Sequence, residues 1–225
     1  MSQHTLTLLR FTYKKLKEKL TVSDSKKLFH EQFPYVIPGL YKRIVDEMLV
    51  ELNLLNHQNE FEQDHLFCVG LTETFKELMK GYQPKKHLDL LFESLCSSTN
   101  FVGTEIKKTS QKTQEEFKDK SLKEFQDKTS KDILKLLNEK SNSKLYASRI
   151  LNLGIYILIS NSIDLKENNE SDMNKMISDI FEKLSLSTNK AEKDIGIYKS
   201  SLSKMAQAKE LIEELRIKDK KKDHK

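Results

Sequence analysis

The sequence predicts an all-α protein, a single multi-helix domain with a long C-terminal helix of coiled-coil character. Three observations lead there. Glycine and proline are scarce, 6 and 3 in 225 residues, against usual shares of roughly 7% and 5%, and a turn-rich β fold needs them at its many turns. Apolar residues recur three and four positions apart rather than alternating. Helix-capping residues stand ahead of most of those runs. With 37% hydrophobic and 32% charged residues, charges of mixed sign and clustered aliphatics, the chain has the composition of a folded domain.

Residues 3–19 carry Leu6, Leu9, Tyr13 and Leu16 at helical spacing, continued by Leu20, and predict a short amphipathic helix. Ser23 or Asp24 can cap a second helix over 26–33, which Pro34 stops. Pro38 suits the first turn of a third, since its missing N–H would be unpaired there anyway. Its stripe is Leu40, Tyr41, Ile44, Val45, Met48, Leu52 and Leu55, and Leu49, Val50 and Leu54 extend it almost all round, so its second half is expected in the interior. Asp64 is the next N-cap, for a helix through Phe67, Leu71, Phe75 and Leu78 to Gly81. Pro84 restarts the chain into a helix through about Cys96.

Residues 104–140 hold ten lysines against eight acids, a net of +2, with few apolar residues between them. They read as solvated helices with a break near 127–130. Residues 145–160 form a buried helix of almost uninterrupted Leu and Ile, 161–171 a polar loop, and 173–184 another amphipathic helix. Ser187 or Thr188 caps the last helix, over 189–218. There Ile195, Tyr198, Leu202, Met205, Ala208, Ile212 and Leu215 make a coiled-coil-like seam with one irregular step. Residues 189–202 are expected against the body and the charged part after Gln207 free, with a fraying end. The chain thus divides into a helical bundle at 1–186 and a long helix with charged tail at 187–225.

Several chemistries find no support. The six glycines make neither a dinucleotide fingerprint nor a P-loop. HExxH, CxxC and GxSxG are absent. Two cysteines, Cys68 and Cys96, make no disulfide scaffold and fit a reducing compartment. Paired with His65 and His87 they suggest zinc, but their apolar neighbours favour small core residues, and no metal is expected. Glu51, among Leu49, Val50, Leu52 and Leu55, has the setting of a carboxylate with raised pKa, yet an ion pair or partner contact is the stronger reading. No enzyme and no cofactor are expected. The longest uncharged stretch, residues 150–163, has 14 residues, short of the about 20 of a membrane span, so a soluble protein is expected. The alternative reading is a Lys-rich helical nucleic-acid-binding protein. Its weakness is that the lysines are interleaved with acids rather than gathered on one face, and no nucleic-acid partner is expected.

Three blocks together resemble the thylakoid formation protein family, also called a photosystem II biogenesis family. The first is Thr21-Val-Ser-Asp-Ser-Lys with Pro38-Gly-Leu-Tyr-Lys-Arg-Ile-Val-Asp-Glu-Met-Leu-Val-Glu-Leu52. The second is Asp64-His-Leu-Phe-Cys-Val-Gly-Leu71 running to Gly81-Tyr-Gln-Pro84. The third begins Glu192-Lys-Asp-Ile-Gly-Ile-Tyr198 and runs to Leu215. The resemblance implies an all-helical, non-enzymatic accessory protein of thylakoid membrane biogenesis and photosystem II assembly and repair. It implies association with a membrane FtsH-type protease complex, in a cytoplasmic protein peripheral to thylakoid membranes. The block starting at Thr21, with about 20 residues ahead of it, points to a cyanobacterial member. The family has no catalytic residues to transfer. The polar positions of its first block, Arg43, Asp46, Glu47 and Glu51, are the candidates for protein binding, together with Lys209, Glu213 and Glu214 in the charged part of the last helix.

Overall fold

The computed structural model describes residues 19–118, 146–161 and 170–222. Eight α-helices and no strand occur among them. The helix expected at 3–19, the break at 127–130, most of the loop at 161–171 and the last three residues lie outside the described residues.

Helix α1 spans Val22–Gln32, and its cap is Thr21 rather than Ser23 or Asp24. The Asp24 N–H donates to Thr21 Oγ1 at 3.2 Å while the Thr21 N–H donates to the Asp24 carboxylate at 3.0 Å. This reciprocal box satisfies two backbone donors at once. The Thr21 hydroxyl also donates to the Asp24 carboxylate at 2.6 Å, and this bond first, then that of the Thr21 N–H, holds the Asp24 carboxyl below its ordinary range. Helix α2, Gly39–His57, starts after Pro38 and buries Tyr41, Val45, Met48, Leu49, Leu52 and Leu55. Buried Asn53 on α2 donates to Leu20 O and Ser25 Oγ, each at 2.8 Å, and so ties α1 down. The expectation that the second half of α2 is apolar and interior almost all round needs correction. Leu54 is 52% exposed and Val50 is half-buried, so one face of the helix stays open.

Helix α3, His65–Leu78, is the centre of the molecule. Asp64 caps it, accepting the Phe67 N–H at 2.7 Å. It ends three residues before Gly81, which takes the left-handed conformation with φ +87° in the following turn. A 3₁₀ turn, Lys85–His87, separates Pro84 from α4, Leu88–Ser97. Helix α5, Gly103–Phe117, is not solvated all round as expected. Ile106, Ser110, Thr113 and Phe117 are buried along one face, against α3 and α4. Small hydroxyl residues permit that closeness because the helix satisfies them itself: Thr113 Oγ1 donates to Thr109 O at 2.8 Å.

Helix α6, Arg149–Ser160, is buried along its length, and Ser148 caps it by accepting the Leu151 N–H at 3.1 Å. Helix α7 spans Glu170–Lys183 and α8 spans Thr188–Lys222. Ser187 caps α8, accepting the Lys190 N–H at 3.3 Å. Ala191, Ile195, Tyr198 and Met205 of α8 are buried in the body, whereas Leu211, Ile212 and Leu215 are exposed. The first part of the expected seam therefore packs within the domain. No second helix runs alongside its end among the described residues, so coiled-coil pairing is not seen. None of the described helices is long and apolar enough to cross a membrane.

The crossing of α3 and α6 sets the architecture. A Cβ placed on Gly70 would lie 1.9 Å from Ile150 O, and one on Gly154 would lie 2.0 Å from Leu66 O. The two backbones touch where both helices lack a side chain, and Leu66, Phe67, Leu71, Ile150, Leu151 and Leu158 of the same two helices are buried in the core. Gly196, in contrast, has nothing within 4 Å of its would-be Cβ.

Gly154→Ala forces α3 and α6 apart and is expected to lower stability by about 3 kcal/mol. Gly196→Ala, in open space on α8, is expected to raise it by roughly 0.5–1 kcal/mol. Urea denaturation of the two variants against the parent measures both.

A second expectation concerns pH. Burial pushes the Asp64 carboxyl up to about 6, although the N–H groups of Phe67 and Leu66 pull it down. The unfolded value is about 3.9, so the native state binds this proton more tightly. Its contribution is present below about pH 4 and is lost as pH rises through about 6, a loss on the order of 2–3 kcal/mol. Asp64→Asn keeps a good cap, and its unfolding free energy should show a flatter pH dependence between about pH 4 and 6.

Candidate protein-docking groove

The open face of α2 lines a surface groove of about 870 Å³. Arg43, Asp46, Glu47, Val50, Glu51 and Leu54 recur at three- and four-residue spacing, so one face of one helix carries them all. The opposite wall is the segment 146–149, with Tyr146 and Arg149, while Lys26 of α1 and Lys190 of α8 stand on the rim. The groove is charged toward the start of α2 and apolar toward its end, where half-buried Val50, exposed Leu54 and half-buried Tyr146 form the floor.

Its charges differ in how they are held. Arg43 Nε lies 2.8 Å from Glu47 Oε1, with side chains 86% and 49% exposed. Such a pair contributes little to stability and is free to exchange partners. Glu51 is different. Arg149 meets the same carboxylate oxygen through Nε at 3.0 Å and through Nη2. Burial raises the Glu51 carboxyl above its ordinary range; Arg149 pulls it back down, and Asp194 and Glu47 add to the rise. Arg149 is the first residue of α6, directly after its Ser148 cap. The Asn152 amide donates to Asp194 of α8 at 2.8 Å, and Lys190 donates to Ala147 O at 3.1 Å. These bonds join α2, α6 with the segment ahead of it, and α8 along the groove, and hold its wall at a set distance from α2.

The structure thus brings Arg43, Asp46, Glu47 and Glu51 together in one groove. It does not bring Lys209, Glu213 and Glu214 there. Lys209 lies across the turn at Gly81, its Cδ 3.0 Å from where a glycine Cβ would stand, while Glu213 and Glu214 are exposed farther along α8. Sequence reasoning missed Arg149, Tyr146 and Lys190. One signal was available for Arg149: it is one of only four arginines in a chain that uses lysine for nearly every cation. A guanidinium presents two N–H groups to one carboxylate, which an ammonium cannot do in that geometry.

The cysteines belong to the core. Burial pushes the Cys68 thiol up to about 12 and the Cys96 thiol higher still, so neither is a ready thiolate. His65 Nδ1 is 3.0 Å from Thr113 Oγ1, which accounts for the histidine beside Cys68. Among the described residues no group of three His, Cys, Asp or Glu is placed to hold a metal ion. The groove combines an apolar floor with charges of both signs on its rim, a mixture common at protein–protein interfaces.

Comparison with known proteins agrees with the earlier resemblance. The sequence profile of the thylakoid formation protein family matches residues 21–225. The chain is 80% identical over 207 residues to Protein Thf1 of Prochlorococcus marinus strain MIT 9312, covering 92% of this chain and 99% of that one. It is 41% identical over 197 residues to Protein Thf1 of Prochlorococcus marinus strain NATL1A, covering 86% and 95%. A solved structure of Psb29 matches the fold with a TM-score of 0.79 at 25% identity, over 92% of this chain and 100% of that one.

Arg149→Met removes the partner and leaves the Glu51 carboxylate largely buried, an expected cost of about 3 kcal/mol at neutral pH. The cost should shrink as pH falls toward the ordinary glutamate value of about 4.3, because the unpaired carboxyl takes up a proton more readily in the native state than in the unfolded chain. Adding Glu51→Gln should recover at least half of the loss. A double-mutant cycle by chemical denaturation reads the coupling.

Proposed function

The chain belongs to the thylakoid formation protein family, and from that premise we propose that it is a non-enzymatic accessory protein of thylakoid membrane biogenesis and photosystem II assembly and repair. It works at the cytoplasmic face of the membrane, by docking a membrane-bound FtsH-type protease complex and stabilising its assembled form. A protein that binds only the assembled complex shifts the assembly equilibrium by mass action, without any bond chemistry of its own.

The observation that carries this reading is the α2 groove. Its wall is held by the Glu51–Arg149 bond, while the exposed Arg43 and Glu47 side chains and the Leu54 floor remain open to a partner. A rigid surface avoids the ordering cost that a flexible one incurs on binding. Lys209, Glu213 and Glu214, on the part of α8 beyond Met205, the last residue buried among those described, form a second set of contacts.

The test is affinity purification of a tagged copy from thylakoid extracts. Protease subunits should accompany the intact protein, and their absence would refute the partner. Arg43→Glu combined with Leu54→Asp changes exposed side chains, so the fold should persist while recovery of the protease falls at least about tenfold. Full recovery with that variant would refute the groove. Truncation after Gln207 keeps every α8 residue that is buried among those described and isolates the second set; unchanged recovery would remove it from the interface.

A further inference from the structure

We propose that the loop joining α1 to α2 is a bilayer contact, a small apolar tip with a basic collar that fits an anionic lipid surface. The inference rests on the membrane-side reading above and names the residues that make the contact. Residues 33–38, Phe-Pro-Tyr-Val-Ile-Pro, carry no charge. Val36 is 93% exposed and Tyr35 is 46% exposed. One exposed aliphatic residue on a surface is ordinary; here the surroundings decide.

The tip is held rigidly. Phe33 is buried and packs its ring against Phe29, with centroids 5.9 Å apart. Tyr35 stacks on His87 with centroids 3.9 Å apart. That stack joins the loop to the 3₁₀ turn Lys85–His87, so exposed Lys85 and Lys86 stand beside the apolar tip. His30 and Lys42 line a hollow together with Tyr35, Val36 and Ile37 of the loop. Glu31 at the end of α1 and the neighbouring Asp89, 93% exposed although Lys107 lies 3.0 Å from it, offset part of this positive charge. Apolar side chains that sink to the headgroup level and lysines that meet anionic headgroups are the two parts of interfacial binding. Net positive charge around an apolar tip favours a negatively charged bilayer over a neutral one.

The test is co-sedimentation of the purified full chain with lipid vesicles, without any protease. Vesicles of phosphatidylcholine with about 30 mol% phosphatidylglycerol should retain the protein at low salt, and pure phosphatidylcholine should not. Val36→Asp, and separately Lys85→Glu with Lys86→Glu, should each weaken retention at least about tenfold. Thermal unfolding of these variants should match the parent, since the changed side chains are exposed. Absence of retention on the anionic vesicles overturns the proposal. So does full retention of Val36→Asp, which would place the contact elsewhere, as in the Lys-rich tail. If Val36→Asp loses protease recovery while the parent ignores vesicles, the loop is a protein contact and the lipid reading fails. Protease recovery by the parent tests the docking reading separately, so the two can fail independently.

Discussion

Two glycines facing each other across a helix crossing set the geometry of this protein. Gly70 and Gly154 let the backbones of α3 and α6 approach until a single added carbon on either would overlap a carbonyl oxygen of the other helix. At that separation the flanking side chains can interdigitate without voids, and packing density is what such a core converts into stability. α5 lies against α3, and the buried half of α8 lies against α6 and α3. Each takes its position from that central pair.

Charge is arranged around the same frame. Arg149 stands at the first position of α6, so the depth at which α6 sits on α3 decides whether its guanidinium reaches Glu51 on α2. Burying an ion pair is costly unless the partners meet well. Here the arginine presents two N–H groups to the carboxylate, and further polar bonds from Asn152 and Lys190 surround the join. The groove of α2 is therefore a consequence of core packing that starts next to Arg149, at Ile150, and reaches Gly154 little more than one turn farther on. Its open residues, Arg43, Glu47 and Leu54, are the part of α2 that the core does not consume.

The family's membrane setting gives these features a common meaning. As proposed, the protein meets the membrane through its surface; none of its described helices is long and apolar enough to span one. The α2 groove and the α1–α2 loop are adjacent in the chain, since Pro38 ends one and begins the other. A protein partner and a lipid surface, each met as proposed, would be engaged from neighbouring parts of one rigid unit. Binding two targets through one such unit raises the effective concentration of each for the other.

Much of this was legible along the chain. The spacing of Leu, Ile and Phe located the helices, Asp64 marked one start correctly, and Ser187 is the one of two cap candidates, with Thr188, that the structure uses, because caps and periodicity are local properties of the backbone. The three family blocks were legible too, and so was the core setting of Cys68 and Cys96. What the chain order did not reveal is which apolar face stays open and which polar residue is buried. Leu54 reads as core and is exposed; Ser110 and Thr113 read as surface and are buried. Arg149 and Glu51 stand 98 residues apart and meet only once α6 has docked. Local patterns report what a residue prefers, whereas its burial and its partners depend on which other helix arrives and how closely, and here two distant glycines decide that distance.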